Sequence, residues 1–174
     1  MPYAVTHVIF ALVIADVIRD YIIKDKKKFP LHYVLIAGVA GLLPDIDILF
    51  DWFSAGEPIH RLLTHTIFLP LYFFLIALAT KRIKSKTLAK HKMKWSGVFY
   101  MLALGTLVHF LLDGFLAGMV YPPAPFSELA FGLGLAGQVI RGVSANDFLA
   151  GVDAIILIGW LVHEEVKHKI SDFI

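Results

Sequence analysis

Long apolar runs broken by short polar clusters dominate the pattern of this chain. A helix that crosses a bilayer needs about 20 mostly apolar residues. Five stretches approach that length. The first covers residues 3 to 23 and is interrupted by Asp16, Arg19 and Asp20. The second, LHYVLIAGVAGLLPDIDILF, covers about 31 to 51, and the third, LLTHTIFLPLYFFLIALAT, covers 62 to 80. The fourth, GVFYMLALGTLVHFLLDGFLAGMV, covers 97 to 120, and the short fifth, FLAGVDAIILIGWLVH, covers 148 to 163. Between the last two lies FSELAFGLGLAGQVI (126 to 140), after YPPAP, whose prolines block a helix. It reads as a re-entrant or interfacial segment. The expected fold is all-α: a polytopic membrane helical bundle of about five transmembrane helices plus that segment, in a single domain over 1–174.

Composition points the same way. Apolar residues make up 58% of the 174 residues and charged ones 17%, where soluble domains average about 45–50% and about 25%. Mean hydropathy is +0.74. The absence of cysteine excludes disulfides and thiolate metal sites. Any metal must be held by His, Asp and Glu, which suits zinc, manganese or iron. The N-terminus lacks a basic n-region and a small-residue cleavage site, so no cleavable signal peptide is expected. There is no internal repeat and no low-complexity segment.

The distribution of charge matters more than its sum. KDKKK (24 to 28) follows the first span, KRIKSKTLAKHKMK (81 to 94) the third, and the fifth ends in HEEVKHK. Of the 16 Lys and Arg, all but Arg61 and Arg141 fall on one face of the membrane in this arrangement. The excess makes that face cytoplasmic. The N-terminus then lies outside and the C-terminus inside. Tyr3, Trp52 and Tyr121 fall near the outer boundary and Tyr33 and Trp95 near the inner one, as in an aromatic belt.

Within this topology the polar residues of the spans converge. His7 lies near the outer end of the first span, Asp45 and Asp47 of the second, His60 and His65 of the third, His109 and Asp113 of the fourth, and Asp153 of the fifth. Counted from the inner ends of their helices, Asp45, His109 and Asp113 stand roughly 21, 18 and 24 Å up, at about 1.5 Å per residue. Charges at that depth are costly unless paired or metal-bound, so the gathering is a candidate site. HFLLD puts His109 and Asp113 at i, i+4, on one helical face. In GLLPDID, Pro44 disrupts the helix, and irregular backbone at membrane depth is tolerated where it lines a cavity. In HRLLTH, His60 and His65 share a face only if His60 precedes the first turn, and Arg61 beside them suits a phosphate or carboxylate.

The other polar positions have plainer readings. Asp51 and Glu57 solvate a loop, and Asp16 pairs with Arg19 or Arg82. His32, His91, His163 and His168 lie on the cytoplasmic side among headgroups or solvent. Thr6 and Thr64 are placed to hydrogen-bond neighbouring ligands, and Gly38, Gly41, Gly105, Gly114 and Gly118 permit close helix packing.

Taken together, TH at 6–7, GLLPDID, HRLLTH and HFLLD, in that order over residues 4 to 118, resemble the membrane-bound metal-dependent hydrolase family, the YdjM-like inner-membrane proteins. That family is in turn distantly similar to zinc-dependent phospholipase C and P1-type nuclease, helical enzymes with clustered zinc held by His and Asp. The resemblance implies His7, Asp45, His65, His109 and Asp113 as metal ligands, with His60 and Asp47 as ligands or as groups behind them. It implies a divalent metal cofactor, zinc first, in one to three ions. No H-x-x-x-E pair occurs in the C-terminal third where it would be needed. Either Asp153 substitutes or fewer metals are held.

The function expected on these grounds is metal-dependent hydrolysis of a phosphoester in a lipid or lipid-linked substrate, near the outer leaflet. The metal would acidify a water. Asp45 or Asp47 would orient or deprotonate it, and Arg61 would neutralise the phosphoryl oxygens. Membrane lipids are the expected partners, and no nucleic acid. The alternatives are a divalent-metal or proton transporter, and a membrane protein whose metal only staples helices. A transporter needs polar groups along its whole path, and the inner halves of spans two to five hold almost none.

Overall fold

The computed structural model describes residues 4–25, 27–47, 64–135 and 144–168. Residues 4 to 23 contain neither proline nor glycine and wind without a break. Helix α1 (Ala4–Val17) widens into a π-helical turn over Ile18–Ile23 and stops at Lys24, whose φ is 56°. Pro30 leads into α2 (Leu31–Ala40), and a 3-10 turn follows over Pro44–Asp47. Helix α3 (Phe68–Ala79) ends in a 3-10 turn over Thr80–Arg82. The short α4 (Lys86–Lys90) is capped by Ser85, whose side chain accepts from the Leu88 N–H. Helix α5 (Trp95–Leu112) runs on as a π-helical turn over Asp113–Ala117 and is broken at Gly118, where φ is 134°. Helix α6 (Ala145–His168) is the last described element.

Helices are the regular structure of the described residues, which hold no strand beyond one isolated antiparallel bridge, Val120 with Phe131. Among the described residues one helix, Trp95–Leu116, is both long and apolar enough to cross a membrane. The second span departs most from expectation, since α2 is ten residues rather than twenty. The cause is Pro44. It has no N–H to offer the Gly41 carbonyl three residues back, and the Asp45 N–H bonds Leu42 instead, at 3.1 Å. Helix α3 starts at Phe68 rather than at residue 62, and α6 is longer than its apolar run. In the described part of the expected re-entrant segment, residues 126 to 134 are non-helical. The segment folds back on the end of α5 through the Leu133 N–H, which donates to the Gly114 carbonyl at 2.9 Å.

Helix α5 is the axis of the bundle and packs on α1, α2 and α3, while α1 also carries α6. Small residues set the spacing. A Cβ at Gly105 would meet the Ala37 carbonyl oxygen and lie 2.5 Å from Ala40 Cβ, so α5 touches the α2 backbone. Gly105→Ala is expected to destabilise the protein by about 1–3 kcal/mol, the usual range for an overpacked interior. Thermal melting in detergent beside wild type measures it. Ala15, Val34, Ala37 and Met101 form the core with Phe29, Tyr33 and Met93. Tyr33 is therefore an interior residue and not part of a lipid-facing belt. Its hydroxyl accepts the Lys94 N–H at 2.7 Å and donates to the Lys94 carbonyl at 3.3 Å.

Helix directions alternate along the chain. Helices α1, α3 and α6 start, and α2 and α5 finish, at the end of the bundle that holds His7, His65, His109 and Asp153. At the other end the basic loops come together. Lys27, Lys81, Arg82, Lys84, Lys92 and Lys94 line one cavity of about 610 Å³. Helices α3 and α6 turn rows of large apolar side chains outward, among them Leu71, Leu75 and Leu78, and Ile155, Ile158 and Val162.

Candidate metal centre

Four separate segments deliver imidazoles and carboxylates to one point. His7 comes from α1, Asp45 from the turn after α2, His65 from the turn before α3, and His109 with Asp113 from the end of α5. His7, His65, His109 and Asp113 are essentially inaccessible, whereas the Asp45 side chain is 21% exposed. The Nε2 atoms of His65 and His109 stand 3.1 Å apart. Asp113 Oδ2 lies 3.5 and 3.8 Å from these nitrogens, and Asp45 Oδ1 lies 3.2 and 3.6 Å from them. Such separations bracket the edge of about 3.3 Å expected when ligands sit about 2.0–2.1 Å from a tetrahedral ion.

The hydrogen bonds behind the two imidazoles decide how they present themselves. His109 Nδ1–H donates to the Gly41 carbonyl at 2.8 Å. That oxygen is available because Pro44 ends the helix, as described above. Thr64 Oγ1 donates to Asp47 Oδ2, and a hydroxyl has one proton, so it can only accept from His65 Nδ1–H, 3.1 Å away. Both imidazoles thus carry their proton on Nδ1, the assignment this network implies. In the neutral rings two Nε2 lone pairs face each other beside two carboxylates. That arrangement repels itself unless a cation occupies the centre. A proton could satisfy one of these separations; a metal ion satisfies them together. Outer partners that fix the tautomer in this way are usual behind metal-bound histidine.

Asp47 accordingly stands behind His65, with Oδ2 3.7 Å from Nδ1. His7 stacks on His109 with centroids 3.8 Å apart, and its Nε2 is 3.6 Å from Asp113 Oδ1. Its Nδ1 is buried with no hydrogen bond among the described residues. Two ligand triads can be drawn, His65–His109–Asp113 and His7–Asp45–His109. Both need His109, whose Nδ1 is engaged and whose Nε2 has a single lone pair. The described residues therefore fit one ion held through His109. Thr64→Val is expected to lower metal affinity by roughly 10–100-fold, as loss of an outer partner does, with Thr64→Ser close to wild type. Competition against a chromophoric chelator reads this.

The remaining candidates fall elsewhere. Asp153 is buried but accepts a hydrogen bond from Thr6 Oγ1 at 2.9 Å, and its contact is with that neighbour of His7. His60, Arg61, Asp51, Glu57 and Arg141, with Tyr3 and Trp52, lie outside the described residues. Asp16 does pair with Arg19, at 3.4 Å. His163 faces Asp16 and Asp20 rather than solvent alone. The Gly41 carbonyl escaped the sequence reading, whereas Thr64, expected beside a ligand, does bond His65 and Asp47. The signal for that carbonyl was a glycine three residues before a proline at the end of an apolar run.

The sequence profile of the YdjM inner membrane protein family matches residues 1–170. The chain belongs to that family. It is therefore a membrane protein, and the centre described above belongs to a YdjM-family bundle. No curated protein and no solved structure matches it.

Proposed function

We propose that this YdjM-family protein is a membrane-embedded, metal-dependent hydrolase of a phosphoester in a lipid or lipid-linked substrate. The observation that carries the reading is the convergence of the His65 and His109 Nε2 lone pairs at 3.1 Å with the Asp45 and Asp113 carboxylates around them. The ligands would be His65, His109 and Asp113, with Asp45 or His7 completing the set. Zinc suits these donors and when bound supplies Lewis acidity, which brings the pKa of a water toward 7.

The chain's own residues supply the rest. Asp113 is fully buried and serves as a fixed anionic ligand. Asp45, at the open side of the centre, is placed to orient a water and take its proton. Asp47 acts through Thr64 and keeps His65 in the ligating tautomer. Arg61 stands three residues before Thr64 in the chain, within about 11 Å of it by chain length. We assign it the phosphoryl oxygens. Lewis-acid chemistry of this kind needs an open ligand position, and the exposure of Asp45 favours that over a closed structural staple. Ala11 and Val108 pack as an apolar layer beside this centre, which favours a one-sided site over a transport path.

The same reading places five spans across the membrane, N-terminus outside, C-terminus in the cytoplasm, and the centre under the outer headgroups. The alternating helix directions, the outward apolar rows and the gathering of basic residues at one end support it. The chain has no cysteine, so single cysteines report cleanly. A cysteine at position 84 is expected to label only from the cytoplasmic side and one at position 61 only from outside. In parallel, purified protein loaded with Zn²⁺ is expected to release the headgroup phosphate ester from a short-chain phospholipid, and the chelated protein not to. Labelling of position 61 from the cytoplasm, or no zinc-dependent hydrolysis of any phosphoester offered, counts against the reading.

A further inference from the structure

A second group of ligand-type side chains lies at the opposite end of α1, nine residues and about 13 Å along the helix from His7. Asp16, Arg19 and Asp20 face His163 and Glu164 of α6 there. Asp16 and Glu164 are only 1% and 6% exposed. Arg19 Nη1 engages one oxygen of each aspartate, Asp16 Oδ1 at 3.4 Å and Asp20 Oδ1 at 3.3 Å. The other oxygen of each turns toward His163 Nε2, at 3.7 Å for Asp16 Oδ2 and 3.5 Å for Asp20 Oδ2.

Those two separations are too long for hydrogen bonds, which close at about 3.2 Å or less. They fall in ion-pair range, and also within the spacing of donor atoms around a single cation. Donor atoms of Asp16, His163 and Glu164 all lie within 4.8 Å of one another. The carboxylates of Asp16, Asp20 and Glu164 gather around the Arg19 guanidinium, with Glu164 against Asp16. Lys24 and Lys167 reach only the outer side, where they line a small cleft with Arg19 and Asp20. Beside the cluster is a cavity of about 300 Å³ lined by Asp16, Tyr21, Gly159, Trp160 and His163. Asp16 Oδ2 and Trp160 Nε1 are buried in this region without a hydrogen bond among the described residues.

We propose that Asp16, His163 and Glu164 form a second divalent-cation site, separate from the His65–His109 centre, that clasps α6 to α1. Helix α6 is held to α1 at its start by the Thr6–Asp153 hydrogen bond, and this site holds its other end. Buried carboxylates with one imidazole suit a Mn²⁺-type ion. An ion here would draw Asp16 of α1 and His163 and Glu164 of α6 onto one point and fix the register of the two helices.

The test uses the full chain in detergent with His65→Gln and His109→Gln, which disable the first centre. This parent is expected to bind one Mn²⁺, with electron spin-echo modulation from an imidazole nitrogen, and to melt at higher temperature when Mn²⁺ is added. Adding Glu164→Gln should weaken Mn²⁺ at least tenfold and abolish the melting shift. Adding His163→Gln, whose side chain is 24% exposed, should remove the nitrogen modulation even if Glu164→Gln fails to fold. A parent that binds no Mn²⁺, or a nitrogen signal and affinity untouched by His163→Gln, overturns the proposal and leaves the cluster a self-contained ion-pair network.

Discussion

His109→Ala will empty the first centre. The purified variant is expected to carry no zinc by elemental analysis, where wild type carries an equivalent, and to hydrolyse phosphoester no faster than the chelated protein. Three facts make this the largest effect. His109 belongs to both ligand triads, so no second set remains intact without it. It is fully buried, so water cannot replace its nitrogen from outside without disturbing the bundle. Its ring is the surface on which His7 stacks and the neighbour of His65 Nε2, so the loss reaches three imidazoles. The drop should exceed the roughly 10–100-fold that an outer partner contributes. Asp113→Ala should behave alike, since Asp113 approaches all three rings. Comparing apo wild type with apo variant by circular dichroism separates lost metal from lost fold. Full zinc occupancy in His109→Ala would remove the basis of the hydrolase reading.

Asp45→Asn gives the second large effect, and its signature differs. Asp45 is the one carboxylate of the centre that reaches the open side. The amide keeps the shape but cannot take a proton, so kcat should fall by roughly 10²–10⁴-fold, the span of general acid–base contributions. Zinc should stay, held by His65, His109 and Asp113, and KM should change little. Steady-state kinetics with metal analysis on the same preparation decides it. If zinc and activity fall together, Asp45 is a ligand before it is a base.

Much of the centre could be read along the chain because it is written in short local spacings. His109 and Asp113 sit one turn apart, and the greasy runs around His7, Asp45 and His65 made each polar side chain costly without a partner. The alternation of apolar runs and basic loops likewise foretold a helical chain with its basic loops gathered at one end. What stayed hidden depends on contacts between remote segments. No spacing rule links Gly41 to His109, 68 positions on, or Asp16 to His163. His163 looked like a headgroup or solvent residue because it follows an apolar run, yet the parallel course of α1 and α6 sets it beside two aspartates. The length of α2 was misjudged for a related reason. Hydropathy sees the apolar side chains of LLPDIDIL but not the N–H that a proline lacks.

That proline has an influence out of proportion to its contacts. Pro44 touches no ion, yet by ending α2 where it does it frees the one backbone oxygen that aims His109. Restoring an N–H at position 44 would let the backbone compete for that oxygen, and the ring could then rotate or exchange tautomers. The first symptom would be faster escape of the ion and poorer discrimination between metals, with the protein still folded. Variation at this position would therefore tune metal choice from outside the coordination sphere.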